Sequence, residues 1–83
     1  MIDVHLRYFA SIREVLGCAS EEWKTGASTV GALRIELVSR GDVFQCLAVD
    51  KPVRMALNQV MCQPSDALTP GCEVGFFPPV TGG

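Results

Sequence analysis

The sequence has little of what most site chemistries require. Its 83 residues include one His, His5, one Trp and one Tyr. The four cysteines, Cys18, Cys46, Cys62 and Cys72, lie 28, 16 and 10 residues apart with no Cys-x-x-Cys. The close ligand pairs of a zinc site are missing, so no metal is expected. No Lys or Arg follows Arg54 and the net charge is −2. Nucleic acid, which calls for clustered cations, is therefore not an expected partner. No apolar run approaches the roughly 18 residues of a membrane-spanning helix, so no membrane is expected either. The start, Met1 to Arg7, lacks a basic region followed by an apolar core, which argues against a signal peptide. The expected location is cytoplasmic, where thiols stay reduced and free cysteines serve as small apolar residues. Neither G-x-x-x-x-G-K-[ST] nor a dinucleotide fingerprint occurs, so no bound cofactor is expected and ATP would have to be used by another protein.

What is present describes one small folded unit. Hydrophobic residues make up 48% and charged residues 19%, a globular balance. Ile2, Val4, Leu6 and Tyr8 alternate with Asp3, His5 and Arg7, the period of a half-buried strand with His5 on its wet face. Ser11-Ile12-Arg13-Glu14 matches a capping box, followed by an apolar stripe of Ile12, Val15 and Leu16 and a stop at Gly17. Ser20 to Thr25 reads as a second strand. Ser28 or Thr29 can cap a longer helix whose inner face is Val30, Leu33, Leu37 and Val38, with Arg40 suiting its C-terminal dipole and Gly41 its stop. A strand is expected from Val53 to Val60. Turns follow at Gln63-Pro64-Ser65-Asp66 and Thr69-Pro70-Gly71, then a last strand from Glu73 to Phe77. The order is α+β, with both helices on one face of one sheet.

The end of the chain is its most informative part. Pro78 and Pro79 lack backbone donors and stop a sheet, and they favour an extended path. The expectation is a domain over 1–77 and a flexible tail over 78–83. Val80 and Thr81 resist helix formation, and Gly82 and Gly83 offer no Cβ to a narrow channel. Such a tail suits chemistry at the α-carboxylate of Gly83. A carboxylate is a poor electrophile, but as an acyl adenylate it can lose AMP to a sulfur nucleophile or an amine. The chain would not be a catalyst by itself. In the last strand Val74 and Phe76 share one face and Phe77 the other. An outward Phe77 is either a docking anchor for a partner or folded back onto a helix.

The run Leu68-Thr69-Pro70-Gly71-Cys72-Glu73-Val74-Gly75-Phe76-Phe77-Pro78-Pro79-Val80-Thr81-Gly82-Gly83 closely resembles the C-terminus of the small-subunit family of molybdopterin synthases. The resemblance extends over the whole chain, through Arg13-Glu14 before Leu16-Gly17, Thr29-Val30 with Ala32-Leu33-Arg34, and Leu57-Asn58-Gln59 in the expected central strand. Pro70, Cys72 and Gly75 depart from the family's usual residues. The resemblance implies a ubiquitin-like β-grasp fold with a mixed sheet. It implies that Gly83 is adenylated by an ATP-dependent, ubiquitin-activating-like adenylyltransferase. Sulfur from a cysteine desulfurase or other sulfur-transfer protein then makes a thiocarboxylate, with Gly82 the slim penultimate residue. It further implies insertion of the tail into the large synthase subunit, in a heterotetramer, and sulfur delivery to cyclic pyranopterin monophosphate. Phe76, Phe77, Pro78, Pro79, Val80 and Thr81 would meet the partner, and Arg13 would add polar contacts.

Three alternatives remain at this level. A protein modifier would join Gly83 to a target lysine, a sulfur carrier of another pathway such as thiamine synthesis would share the Gly-Gly, and an interaction module would have an inert end.

Overall fold

The alternation of the first segment is preserved in space. Ile2–Tyr8 forms strand β1, with Val4, Leu6 and Tyr8 buried and Asp3, His5 and Arg7 outside. The computed structural model describes residues 1–78; residues 79–83, which include the expected sites Pro79, Val80, Thr81, Gly82 and Gly83, lie outside the described residues. After β1 come helix α1 (Ala10–Leu16), strand β2 (Ser20–Thr25), helix α2 (Val30–Val38) and a 3-10 helix (Asp42–Leu47). Strands β3 (Arg54–Leu57), β4 (Val60–Met61) and β5 (Glu73–Phe77) complete it.

The five strands make one sheet in the order β2-β1-β5-β3-β4. The first and last strands are parallel neighbours at its centre, and every other pair is antiparallel. Side chains of one sheet face, Val4, Leu6, Tyr8, Val74 and Phe76, form a single core with Ile12 of α1 and Val30, Leu33 and Leu37 of α2. Both helices thus cover the same face, and the arrangement is the ubiquitin-like β-grasp.

Local chemistry explains the elements, with five corrections to the expectations. The Ser11–Glu14 capping box does not form. Phe9 still belongs to the sheet, its N–H donating to the Phe76 carbonyl at 3.2 Å, and it becomes the extended N-cap. Helix α1 therefore starts at Ala10 and Ser11 falls inside its first turn, without a side-chain cap. The stripe is also narrower than its spacing suggests, since Ile12 is buried but Val15 is 51% exposed. Gly17 does end the helix in the left-handed region, at φ 77, with its N–H on the Arg13 carbonyl.

Helix α2 begins as expected at Thr29, whose hydroxyl accepts from the Ala32 N–H at 3.1 Å. It ends at Ser39 rather than at Gly41. Gly41, at φ 143, instead opens the 3-10 helix. Arg40 does not sit on the helix dipole. Its guanidinium lies between the rings of Trp23 and Phe44, at 4.3 and 4.2 Å, and donates to Glu21 at 2.9 Å. Glu21 also accepts from the Tyr8 hydroxyl at 2.8 Å. Burial, reinforced by that carboxylate, pushes the Tyr8 phenol far above its ordinary value.

The expected strand from Val53 to Val60 is in fact a hairpin. Asn58 and Gln59 take φ of 51 and 69, the paired left-handed conformation of a tight two-residue turn that asparagine tolerates. Asn58 also clamps the hairpin to β5, donating its N–H to the Glu73 carbonyl and accepting the Glu73 N–H at its side chain.

One glycine is required by a close approach. A Cβ on Gly31 would meet Pro64 Cβ at 3.0 Å and the Pro64 carbonyl at 3.1 Å, and the Gly31 N–H donates to that same carbonyl. Ala is the better helix former by up to about 1 kcal/mol, but here it must push a proline turn away. Gly31→Ala is expected to lower stability by about 1 kcal/mol, read from the urea midpoint; an unchanged or raised midpoint would show that the turn yields freely.

Candidate functional site

The site is built on the end of β5. Because β5 alternates, Val74 and Phe76 enter the core while Gly75 and Phe77 face the open side of the sheet. Phe76 is fully buried. The expectation that it meets a partner is thereby corrected, since its side chain has no surface to offer.

Phe77 does point to the open face, but it neither stands free nor folds onto a helix. It stacks on Phe9 with ring centroids 4.4 Å apart and planes inclined by 4°. The pair lies against Gly75, where a Cβ would come within 3.2 Å of Phe9 Cε2 and 3.3 Å of Phe77 Cε2. A side chain at position 75 would have to displace the rings, so the missing Cβ is what seats them.

Neighbouring strands extend this surface. In the sheet register Gly75 pairs with Arg7 on one side and Ala56 on the other, and Ala56 pairs with Met61. Met61 is 54% exposed. The Arg7 guanidinium lies 5.6 Å from the Phe9 ring centroid and 3.9 Å from the Glu73 carboxylate. Farther from the chain end the face becomes a ladder of polar pairs, with His5 3.1 Å from Glu22 and Lys24 3.9 Å from Asp3. The open face therefore grades from polar pairs to an aromatic and thioether platform beside Pro78. Desolvating such a platform under a partner is favourable, at roughly 25 cal/mol per Å² of apolar surface.

Arg13 is exposed on α1, and Pro78 is partly buried. Phe9 and Met61 were not singled out from sequence. Phe9 continues the odd parity of Asp3, His5 and Arg7, one residue past the point where the alternation was read. Met61 was hidden by the unrecognised hairpin. The four cysteines are free thiols, with Cys72 buried in the core. Burial pushes the Cys46 and Cys62 thiols up, away from a reactive thiolate. Among the described residues no three His, Cys, Asp or Glu side chains are grouped to hold a metal.

The described part of the site is thus an aromatic and thioether face on the open side of the sheet, beside Pro78. The sequence profile of the ThiS family matches residues 6–83. The chain belongs to the ThiS family. This ThiS-family chain is 36% identical over 80 residues to the molybdopterin synthase sulfur carrier subunit of Escherichia coli K12, covering 96% of this chain and 99% of that one. It is 35% identical over 81 residues to the protein of the same name from Haemophilus influenzae, with coverage of 96% and 99%. Among solved structures it is similar to SAMP1, the small archaeal modifier protein 1, from Haloferax volcanii, with a TM-score of 0.79 and 25% identity. That similarity covers 98% of this chain and 99% of SAMP1.

Proposed function

We propose that this chain is the sulfur carrier, and small subunit, of a molybdopterin synthase. The observation that carries the proposal is the near full-length similarity to two bacterial proteins of that name, with a family match that runs to Gly83. The described fold supports it by supplying a rigid holder with an aromatic face beside Pro78.

In this proposal residues 78–83 are the delivery arm and Gly83 is its working end. A separate adenylyltransferase uses ATP to join the Gly83 carboxylate to AMP, which replaces a poor leaving group by a good one. A sulfur nucleophile derived from cysteine through a desulfurase or sulfur-transfer protein displaces AMP and leaves a thiocarboxylate. The large synthase subunit then encloses the arm, and the thiocarboxylate sulfur passes to cyclic pyranopterin monophosphate. Two small and two large subunits would make the working heterotetramer. Pro79, Val80, Thr81 and Gly82 give the arm a narrow profile in the enclosing channel. The setting would be cytoplasmic; among the described residues no helix is long and apolar enough to cross a membrane.

Phe77 and Phe9 serve as the anchor of both handovers. Phe77→Ala is expected to raise the Kd for the large subunit roughly 10- to 100-fold, the scale of an aromatic hot spot. Its melting temperature should change little, because the ring packs on the sheet's open face and not in the core. An isothermal titration showing unaltered affinity would remove the platform from the interface.

The likeness to a small archaeal modifier protein favours a second reading, in which Gly83 forms an isopeptide bond with a lysine of another protein. Intact-mass spectrometry after incubation with ATP, the adenylyltransferase and a sulfur source separates the two. One oxygen-to-sulfur exchange mapped to Gly83 supports the carrier. Free acid alone, together with Gly83–lysine conjugates in cells, would replace it by the modifier.

A further inference from the structure

Strand β2 is an edge of the sheet, and among the described residues its outer side pairs with nothing. Natural edges are commonly blunted by a proline, a bulge or extreme shortness. β2 has none of these. Ser20–Thr25 holds six residues without a proline, and its register against β1 advances one residue at a time from Ile2↔Thr25 to Arg7↔Ser20. The opposite edge, β4, is two residues long. Parity fixes which groups β2 offers. The Tyr8 N–H donates to the Ala19 carbonyl. In this register Glu21, Trp23 and Thr25 therefore turn their main-chain groups toward β1, while Ser20, Glu22 and Lys24 turn theirs outward.

We propose that this edge pairs with the β2 edge of a second copy of the chain, antiparallel about a two-fold axis at Trp23. A closed pair of identical strands must be self-complementary about such an axis. Only residues with outward main-chain groups can exchange hydrogen bonds, so the axis has to pass through a residue of β2. Through Glu21, Glu22 or Lys24 it sets like charges opposite one another, which is unfavourable. Through Ser20 or Thr25 it leaves most of the strand unpaired. Through Trp23 it sets Glu22 of each copy opposite Lys24 of the other, each such pair exchanging both main-chain bonds. The two Trp23 residues then face each other at a non-hydrogen-bonded position, where side chains approach most closely and aromatic pairs are favourable.

The charges already present on the open face extend into this pairing. Lys24 lies 3.9 Å from Asp3 and Glu22 lies 3.1 Å from His5, with both side chains exposed. Across the joint the row runs Asp3, Lys24, the second copy's Glu22 and the second copy's His5, so each acid lies beside a basic group. Five strands from each copy join in one sheet. The axis stands perpendicular to that sheet, so both Phe9–Phe77 stacks lie on the same face. A partner with two matching surfaces then gains avidity. The pairing uses none of the proposed sulfur chemistry.

Sedimentation equilibrium of the full chain, from about 10 μM to about 1 mM, tests the pairing in the range suited to a small interface. The natural chain is expected to dimerise. Glu22→Lys and Lys24→Glu each turn both cross-copy pairs into like charges, and each is expected to raise the dimer Kd about tenfold or more. Mixed in equal amounts, the two variants should associate to within about threefold of the natural chain, because the lysines of one copy meet the glutamates of the other. The double exchange in one chain should do the same, and either recovery shows that the single variants are folded. A natural chain that stays monomeric, single variants that associate as it does, or a mixture that stays monomeric would each overturn the pairing. The thiocarboxylate on Gly83 is measured separately, so the carrier reading and the dimer stand or fall independently.

Discussion

A chain ending at Thr81 is expected to accept no sulfur and to support no molybdopterin formation, while melting at the same temperature as the full chain. The two halves of this expectation have different origins. Thermal stability resides in the core built from β1, β5, α1 and α2, all within residues 2–77, which the deletion leaves untouched. In the proposed function, transfer depends on a carboxyl group presented without side chains beside it. After the deletion that carboxyl is Thr81, two residues short of the activating site and carrying a branched side chain that a channel shaped for glycine rejects. Misplacing a reacting atom by even 1 Å can cost about 100-fold, and two residues amount to roughly 7 Å, so turnover should fall below detection. In vitro molybdopterin assays with matched calorimetry check both halves. Residual synthesis above one per cent of the full chain, or a melting temperature lowered by several degrees, would contradict the division of labour.

The second large effect is expected far from the chain end. Arg34 of α2 is buried, and its guanidinium donates to the carbonyls of Leu47, Ala48 and Lys51 at 2.6, 2.6 and 2.8 Å. Burial pulls its pKa down from the ordinary arginine value, and Asp50 opposes the shift. These bonds tie the segment between the 3-10 helix and β3 to α2, beyond its own turn bonds from Ala48, Lys51 and Val53. Arg34→Met keeps most of the side-chain volume but removes three charge-assisted hydrogen bonds, leaving the Ala48 and Lys51 carbonyls with only the N–H groups of Lys51 and Val53. Each such loss costs about 1–3 kcal/mol, offset partly by no longer burying a charge, for a net of about 3 kcal/mol. In a domain of this size that is roughly 12–24 °C in Tm. Arg34→Lys should recover only part of it, because an ammonium cannot span the fork of carbonyls. A Tm within a few degrees of the unaltered chain would show that the segment holds itself.

Both effects bear on how much the sequence discloses. Period-two alternation placed β1 because that strand lies against the core on one face, which imposes the pattern directly. Thr29 identified the start of α2 because its hydroxyl has one local task. The capping box at Ser11 failed because the sheet extends through Phe9, a tertiary pairing that local spacing does not encode. The hairpin at Asn58-Gln59 was missed because glycine, its strongest signal, is absent and two side chains adopt left-handed backbone instead. The 3-10 helix was missed for a related reason. It is held by Arg34 from another element and not by its own periodicity. At the site, parity assigned Phe77 to the open face, but its partner Phe9 emerged only in space. Phe76 shows the limit of resemblance, since adjacent aromatics in a strand point to opposite sides and only one can meet a partner.

The parallel pairing of β1 with β5 also has a consequence for synthesis of the protein. The two strands that form the middle of the sheet are the first and the last of the described chain to be made. Translation at about 5–20 residues per second exposes β1 for seconds before its neighbour exists, and β2 alone cannot cover it. Pairings so distant along the chain fold slowly, and nascent fragments that stop before Glu73 lack a sheet centre altogether. Such fragments should be cleared by proteases. The ribosome thus releases a stable product only when the last strand has arrived.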